Sequence, residues 1–118
     1  MIIKTVFNTL STVLKDHGLN EGGKVQKTID SEVLRRSDPY VPMDTGFLKK
    51  SGILGTKIGS GEVVYNAIYA DKNYYRNAGK GKQGTARGGL RGRFWFERMK
   101  ADHLPDILKS AKSTAGGK

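Results

Sequence analysis

A proline-bracketed stretch that leads into a Thr-Gly pair constrains this chain more than any other part of its sequence. Residues 40–52 read YVPMDTGFLKKSG and come directly after Pro39. Proline fixes its own backbone angle and biases the preceding residue away from the helical region, so Tyr40 and Val41 should run extended. The backbone here is therefore restrained before any tertiary contact forms.

The second half of the same stretch carries the signals of a short helix. Asp44 or Thr45 can accept a hydrogen bond from an unpaired backbone N–H at the helix start. Leu48 would then face inward, and the following Ser-Gly pair would release the chain into a strand. We therefore expect a Pro/Thr-Gly corner with a short helix over residues 38–52. Packing alone explains such a corner as well as partner binding does.

The composition indicates one small domain with a thin core. The chain has 118 residues, of which 36% are hydrophobic, and its mean hydropathy is -0.51. Such a polar chain is expected to complete its burial against partners. It has no cysteine for disulfides or thiolate metal sites, and no apolar run approaches the ~20 residues of a membrane span. We expect a soluble protein made in the cytoplasm, with no signal peptide and no membrane partner.

Two amphipathic helices are predicted in the N-terminal third. Apolar residues recur at helical spacing from Ile3 to Leu14, which predicts a helix over residues 2–17 that ends at Gly18. A second apolar stripe predicts a helix over residues 23–37. Both stripes are interpreted as surfaces that face the core.

The middle of the chain, residues 53–75, has the character of β-strands. Residues 62–70 are rich in β-branched and aromatic types, and residues 52–58 form a shorter run of the same kind. The Gly-Ser-Gly sequence between the two runs suits a hairpin turn. We expect the two runs to pair as a small antiparallel sheet.

Residues 78–93 form a glycine-rich basic loop. It contains five cations and no acid, and these cations supply half of the formal net charge of +10. Its composition predicts a segment that is mobile unless a partner holds it. Its glycines match no phosphate-binding fingerprint, because the GxxxxGK[ST] pattern is absent. The five cations are Lys80, Lys82, Arg87, Arg91 and Arg93.

The last element is led by the only dense aromatic cluster, the triplet FWF. It opens a helical region predicted over residues 94–112, in which Pro105 restarts the helix. The small polar residues 113–118 are expected to fray. The predicted fold class is α+β: N-terminal amphipathic helices, a small antiparallel β-sheet and a late aromatic-led helix packed on it, in a single domain over all 118 residues.

Three ordered motifs resemble a family of virion proteins. YVPMDTGFLKKS, VVYNAIYADKNYY and GRFWFERMKADH follow one another in a region that spans roughly residues 25–103. Together they are similar to the minor capsid or tail-completion proteins of long-tailed bacteriophages, the group called HK97 gp10-like. The family pattern is a Tyr/Val-x-Pro-x-x-Thr-Gly-x-Leu-x-x-Ser element, a Tyr-Ala pair that ends a strand, and an aromatic-led helix. The chain departs from it in the basic loop, which is unusually rich in Arg and Gly.

The resemblance implies an α+β structural subunit of the phage neck, with no chemistry of its own. Its expected partners are like copies in a ring, six rather than twelve, and the neighbouring connector or stopper, tail terminator or tail tube proteins. Packaged DNA is a further, incidental contact. The expected location is the virion neck, after synthesis in the bacterial host cytoplasm. The interface is expected at the corner and the basic loop, on Tyr40, Val41, Pro42, Thr45, Gly46, Leu48, Ser51, Lys80, Lys82, Arg87, Arg91 and Arg93.

The arginines of the loop give this hypothesis a test. If the loop docks on a neighbouring protein, its arginines would form charge-assisted hydrogen bonds there. Reversing the charges of Arg87, Arg91 and Arg93 should then leave the isolated fold intact and block head-tail joining.

Two other function classes explain less of the sequence. A small basic nucleic-acid-binding protein is supported by the pI of about 9.9, by the LRGR segment and by Tyr74, Tyr75 and Trp95 as stacking surfaces. No helix-turn-helix, zinc-finger or RNA-recognition signature accompanies them. A toxin or hydrolase is not expected, because His17 and His103 are isolated in sequence and no serine has an evident base. We therefore assign no catalytic, cofactor-binding or metal-ligating residue.

Overall fold

The computed structural model describes residues 1–5, 24–42, 46–81 and 83–115, which form an α+β fold. Its strands are β1 (Ile2–Lys4) and β2 (Glu62–Val64). Its helices are α1 (Lys24–Ser37), α2 (Phe47–Gly55), α3 (Ala70–Arg76) and α4 (Trp95–Ala115). Short 3-10 turns cover Asp38–Tyr40 and Thr85–Arg87.

The two strands pair antiparallel, and this pairing corrects the helix predicted over residues 2–17. Ile3 lies opposite Val63, and both side chains are buried. The β-branched start of the chain thus finds a strand partner far along the sequence, and this long-range pairing outweighs the local helical periodicity. Residues 6–17 of the predicted helix lie outside the described residues.

The strands predicted over residues 53–75 are wrong except for β2, whose partner is β1 and not the run before it. Helix α2 extends into this region because Gly52 allows it to lie against the buried ring of Tyr65. A Cβ on Gly52 would lie 2.4 Å from the ring carbon Cε1. Helix α3 occupies the end of the region and buries Ala70 and Tyr74, which lie one turn apart on one side.

Helices α1 and α4 pack against each other at the centre of the core. The first matches the helix predicted over residues 23–37 and buries Val25, Ile29 and Val33. Against this stripe lies α4, whose Met99, Ile107 and Ala111 are fully buried. The apolar faces predicted from helical periodicity therefore face the core in both helices.

Helix α4 is continuous through Pro105 and does not restart there. Proline lacks the N–H that the carbonyl of Ala101 would accept, but both residues are exposed, so water can reach that carbonyl. The helix continues to Ala115, so residues 113–115 are helical where fraying was predicted. Residues 116–118 lie outside the described part of the chain. None of the helices in the described ranges is long and apolar enough to cross a membrane.

An aromatic cluster docks the start of α4. The ring of Trp95 is fully buried and meets Tyr65 edge-on at 5.4 Å and Tyr74 at 4.7 Å between ring centres. Just before the helix, Phe94 adopts a positive φ of 53° and donates its N–H to the carbonyl of Tyr74 at 2.7 Å. The predicted aromatic-led helix thus begins at Trp95, held by contacts to the residues that follow β2 and to α3.

A buried carboxylate joins β1 to α1. Asp30 on α1 is fully buried and accepts a hydrogen bond from the hydroxyl of Thr5, which follows β1. It also accepts the Gln26 amide at 2.9 Å and the backbone N–H groups of Gly59 and Gly61 at 2.8 and 3.0 Å. These four donors satisfy the carboxylate, so it fixes the turn before β2 without a cation among the described residues.

Candidate partner interface

The corner motif is anchored in the protein interior. Tyr40 and Val41 are 3% and 1% exposed, and Pro42 is also buried. The hydroxyl of Tyr40 donates to the carboxylate of Asp102 on α4. Burial, reinforced by this hydrogen bond and the charge of Asp102, raises the pKa of Tyr40 to about 12, while the nearby Arg98 opposes the shift. These corner side chains therefore stabilise the fold and offer a partner little surface.

The start of α2 follows the predicted pattern in part. Gly46 precedes the helix with a left-handed φ of 75°, a conformation that glycine adopts without a steric penalty. Leu48 and Ser51 are buried, and the Ser51 hydroxyl donates to the Leu48 carbonyl at 2.7 Å. The cap predicted at Asp44 or Thr45 lies outside the described residues. Leu48 and Ser51 act in packing, as the alternative interpretation of the corner anticipated.

Arg91 fastens the basic loop to the corner. Its side chain is buried, and Nη1 donates to the carbonyl oxygens of Asp38 at 2.7 Å and Val41 at 2.6 Å. Its Nε donates to the side-chain oxygen of Gln83 at 2.9 Å, and the backbone of Gly92 donates to the Tyr40 carbonyl at 3.1 Å. One buried guanidinium thus satisfies the carbonyls of a turn that ends before a proline.

The loop that follows α3 is also bonded to itself, so the prediction of a segment without internal order is wrong for its described residues. The N–H of Thr85 donates to the Arg91 carbonyl and the N–H of Arg91 to the Gln83 carbonyl, both at 2.9 Å. Its glycines permit close backbone contact: a Cβ on Gly84 would lie 1.9 Å from the carbonyl oxygen of Gly79. Composition suggested mobility because it cannot reveal such cross-loop bonds.

The cations of the loop divide into internal and external groups. Arg91 is internal, which overturns the expectation that its charge can be reversed with the fold intact. Lys80, Arg87 and Arg93 are exposed, and Lys82 lies outside the described residues. The structure therefore brings Arg91 together with the corner but leaves the exposed cations free to meet a partner.

Arg98 is a structural residue that the sequence analysis missed. From α4 it donates to the carbonyls of Arg93 at 2.8 Å and Leu90 at 2.6 Å, and its guanidinium lies 5.5 Å from the centre of the Tyr40 ring. Partial burial lowers the pKa of Arg98, and the charges of nearby groups oppose that shift. The sequence gives only a weak signal for this role of Arg98, which lies four residues after the positive-φ residue Phe94. Its partners are backbone carbonyls whose positions depend on the conformation of the loop.

An exposed apolar ridge was also missed, because its residues were assigned to strands or to a buried corner. Phe47, Ile68 and Tyr69 are 64%, 88% and 67% exposed. With Pro42, Leu48, Ala67 and Asn73, they border an open groove of about 300 Å³ beside α2. We call Phe47, Ile68 and Tyr69 the apolar ridge; none of the described residues that border its groove is charged.

A second apolar surface lies on another side of α2. An open cleft of about 380 Å³ is lined by apolar side chains and rimmed by polar ones. Leu48 borders the ridge groove and Ile53 borders this cleft. The two residues are five positions apart on α2, so their side chains leave the helix in directions that differ by about 140° around its axis. The cations at the cleft rim are paired: Lys49 with Asp38 at 3.2 Å, and Arg35 with Glu32. The apolar cleft is lined by Leu34, Val41, Ile53, Ile58 and Tyr65.

Glu32 shows how firmly the rim is held. Burial alone would raise its pKa, but hydrogen bonds from Ser110 and Arg35 and the charges of Arg35 and Arg36 together lower it. Its carboxylate therefore stays ionised and links α1 to α4 through the Ser110 hydroxyl at 2.8 Å.

Comparison of the chain with known protein families, curated proteins and solved structures finds no match.

Proposed function

We propose that this chain is a non-enzymatic structural subunit of the neck of a long-tailed bacteriophage, where it acts in tail completion or head-tail joining. The observation that carries the proposal is the ordered set of three motifs, from the corner through the Tyr-Ala pair to the aromatic-led helix. The α+β fold agrees with what that resemblance implies. In the virion, copies would form a ring, six rather than twelve, between the connector and the tail.

A ring needs a contact between like copies, and the charge of the chain limits where that contact can lie. At a formal net charge of +10, copies repel one another wherever unpaired cations meet. The apolar ridge avoids this because no cation is found among the described residues that border its groove. The apolar cleft also avoids it, because the cations at its rim are neutralised by Asp38 and Glu32.

We therefore assign the contact to the ridge of one copy and the cleft of the next. Fully burying a side chain such as Ile68 contributes roughly 1.5–3 kcal/mol, so the three ridge residues can supply a substantial part of the association energy. Since the two surfaces lie on different sides of α2, the contact is head-to-tail. Head-to-tail contacts generate closed rings when the rotation between copies closes.

The function is tested by deleting the gene from the phage that encodes it. We expect a lysate of DNA-filled heads and separate tails in negative-stain electron micrographs. Joined particles should return when the wild-type chain is supplied from a plasmid. Joined, infectious particles in the deletion lysate would overturn the proposal.

The contact between copies is tested separately with the purified chain. Ile68→Lys changes the ridge and Ile53→Lys changes the cleft, while Ile2→Lys is the control on β1, with an exposure of 58% close to the 56% of Ile53. Sedimentation velocity should show assemblies for the wild type and the control, and monomers for the two interface variants. A wild type that remains monomeric, or equal assembly by all variants, contradicts this contact.

A further inference from the structure

One continuous part of the surface carries positive charge without compensation. Between Asp71 and Glu97 the sequence contains no acidic residue. Five exposed cations from this segment are described, and none forms an ion pair with another described residue. Only Arg93 makes a ring contact, with its guanidinium 5.5 Å from the centre of Phe94. Lys72 lies in the first turn of α3, and we call the other four the basic surface: Arg76, Lys80, Arg87 and Arg93.

Backbone hydrogen bonds place the four cations on one structural unit. The N–H of Arg93 donates to the carbonyl of Asn77 at 3.1 Å, which sets Arg93 beside the residue that follows Arg76. The N–H of Ala86 donates to the carbonyl of Gly79 at 3.0 Å. Lys80 follows Gly79 and Arg87 follows Ala86, so this hydrogen bond also brings the backbones of the two cations together.

Two arginines, one buried and one partly buried, order this unit before any partner binds. Arg91 bonds it to the carbonyls of the corner, and Arg98 bonds the carbonyls of Leu90 and Arg93 to α4. A loop that is already ordered avoids the entropy loss that a mobile basic tail incurs on binding. The positive charges of both guanidiniums also raise the electrostatic potential at the basic surface.

We infer that the basic surface binds the sugar-phosphate backbone of double-stranded DNA without reading its sequence. Duplex DNA carries one negative charge per about 1.7 Å of its axis, so a group of spread cations finds phosphates in many orientations. The surface adds no inserted helix or strand that could read base edges, because its described residues are in a loop and the end of a seven-residue helix. In the proposed neck ring the ligand is the packaged genome, but the binding itself does not depend on that ring.

The test is fluorescence anisotropy with the purified full chain and a labelled 30-base-pair duplex of arbitrary sequence. If three phosphates are neutralised, affinity should fall about 40-fold between about 50 and 200 mM salt. A second duplex of unrelated sequence should bind within about twofold. A single strand of equal length should bind more weakly, because its charge density is about half that of the duplex.

Matched charge reversals separate the basic surface from general attraction by a cationic protein. The test variant is Lys80→Glu, Arg87→Glu and Arg93→Glu, and the control is Lys57→Glu, Lys109→Glu and Lys112→Glu, three exposed lysines elsewhere. Both variants lose the same charge. The test variant should bind duplex at least about tenfold more weakly with a shallower salt slope, and the control should bind at least about fivefold more tightly than the test variant.

Three results would overturn the inference: no duplex binding by the wild type at low salt, equal loss in both variants, or equally tight binding of polyglutamate. The last result would assign the surface to an acidic protein partner. Circular dichroism melts check that both variants remain folded. If the test variant unfolds, single reversals of Lys80 and Arg87 replace it, because these side chains form no hydrogen bond, ion pair or ring contact among the described residues. Each single reversal should reduce the salt slope by about one. Failure here leaves the head-tail joining test unaffected.

Discussion

Nη1 of Arg91 donates to the backbone carbonyl of Val41 at 2.6 Å, so a loop arginine completes the hydrogen bonding of the proline-bracketed corner. The two residues are far apart in sequence, and the bond is buried. Burial makes it costly to leave the carbonyl without a donor. The corner and the basic loop, which the sequence presents as separate features, therefore form one structural unit.

Replacing Arg91 should destabilise the protein. Arg91→Ala removes the donors to the Asp38 and Val41 carbonyls and to Gln83, and we expect a loss of about 3 kcal/mol in the free energy of unfolding. Arg91→Lys should recover part of this loss, because an ammonium can reach one carbonyl but cannot reproduce the fork of donors. Urea denaturation measures both. The control is Arg87→Ala, an exposed change that should cost less than about 0.5 kcal/mol.

Asp30→Asn should be nearly as damaging although it preserves the side-chain volume. The carboxylate accepts hydrogen bonds from Thr5, Gln26 and two backbone N–H groups. The amide of asparagine has only one acceptor oxygen, and its NH2 group would point at groups that are themselves donors. We expect a loss of about 2–4 kcal/mol in urea denaturation. An unchanged midpoint would show that the turn before β2 does not depend on this carboxylate. Asp106→Asn, at a more exposed position, is the matched control.

Two glycine substitutions in the loop separate steric contact from backbone strain. At Gly84 φ is -77°, but an added Cβ would lie 1.9 Å from the Gly79 carbonyl oxygen. At Gly88 φ is 83°, and nothing lies within 4 Å of the added Cβ. Gly88→Ala should therefore cost about 1 kcal/mol from strain, and Gly84→Ala about 1–3 kcal/mol with greater loop exchange. Hydrogen exchange of the Ala86 and Gly89 amides reports the loop, and faster exchange in Gly88→Ala than in Gly84→Ala would contradict this account.

The protein should lose stability in alkali partly through Tyr40. Folding raises its pKa from 10 to about 12, so the folded state favours the neutral phenol. This contribution is fully present below pH 10 and is lost as the pH rises through about 12. In Tyr40→Phe the unfolding free energy should be about 1–2 kcal/mol lower at pH 8, and its fall between pH 9 and 11 should be smaller than in the wild type.

The comparison between the two proteins isolates Tyr40 from other groups that titrate in alkali. Burial also raises the pKa values of Tyr65 and Tyr74, the latter to about 12, so the variant should retain some alkaline loss. Urea midpoints at each pH provide the measurement. Parallel pH curves for the two proteins would mean that Tyr40 does not contribute to the pH dependence.

The features that the sequence predicted correctly rest on local patterns. The apolar stripe of α1, the aromatic start of α4 and the short helix that follows the Thr-Gly pair are visible because helical periodicity and helix-start signals involve residues a few positions apart. The α+β class followed from these elements and a short β-like run. For the candidate interface, Tyr40, Val41 and Arg91 were expected to face a partner but are buried, whereas the role of the exposed loop cations stays a prediction.

Tertiary structure alone decided what each of these segments meets. Val63 pairs with Ile3 and not with the run at residues 52–58. Strand pairing depends on which strand edge and which part of the core the packed helices leave accessible. Likewise Arg91 is buried because the corner directs the carbonyls of Asp38 and Val41 toward it. Arg98 is partly buried because the loop directs the carbonyls of Leu90 and Arg93 toward it. Composition counts those two guanidiniums as surface charge, and only their distance to carbonyl oxygens distinguishes a charge that holds the fold from one that can bind a partner.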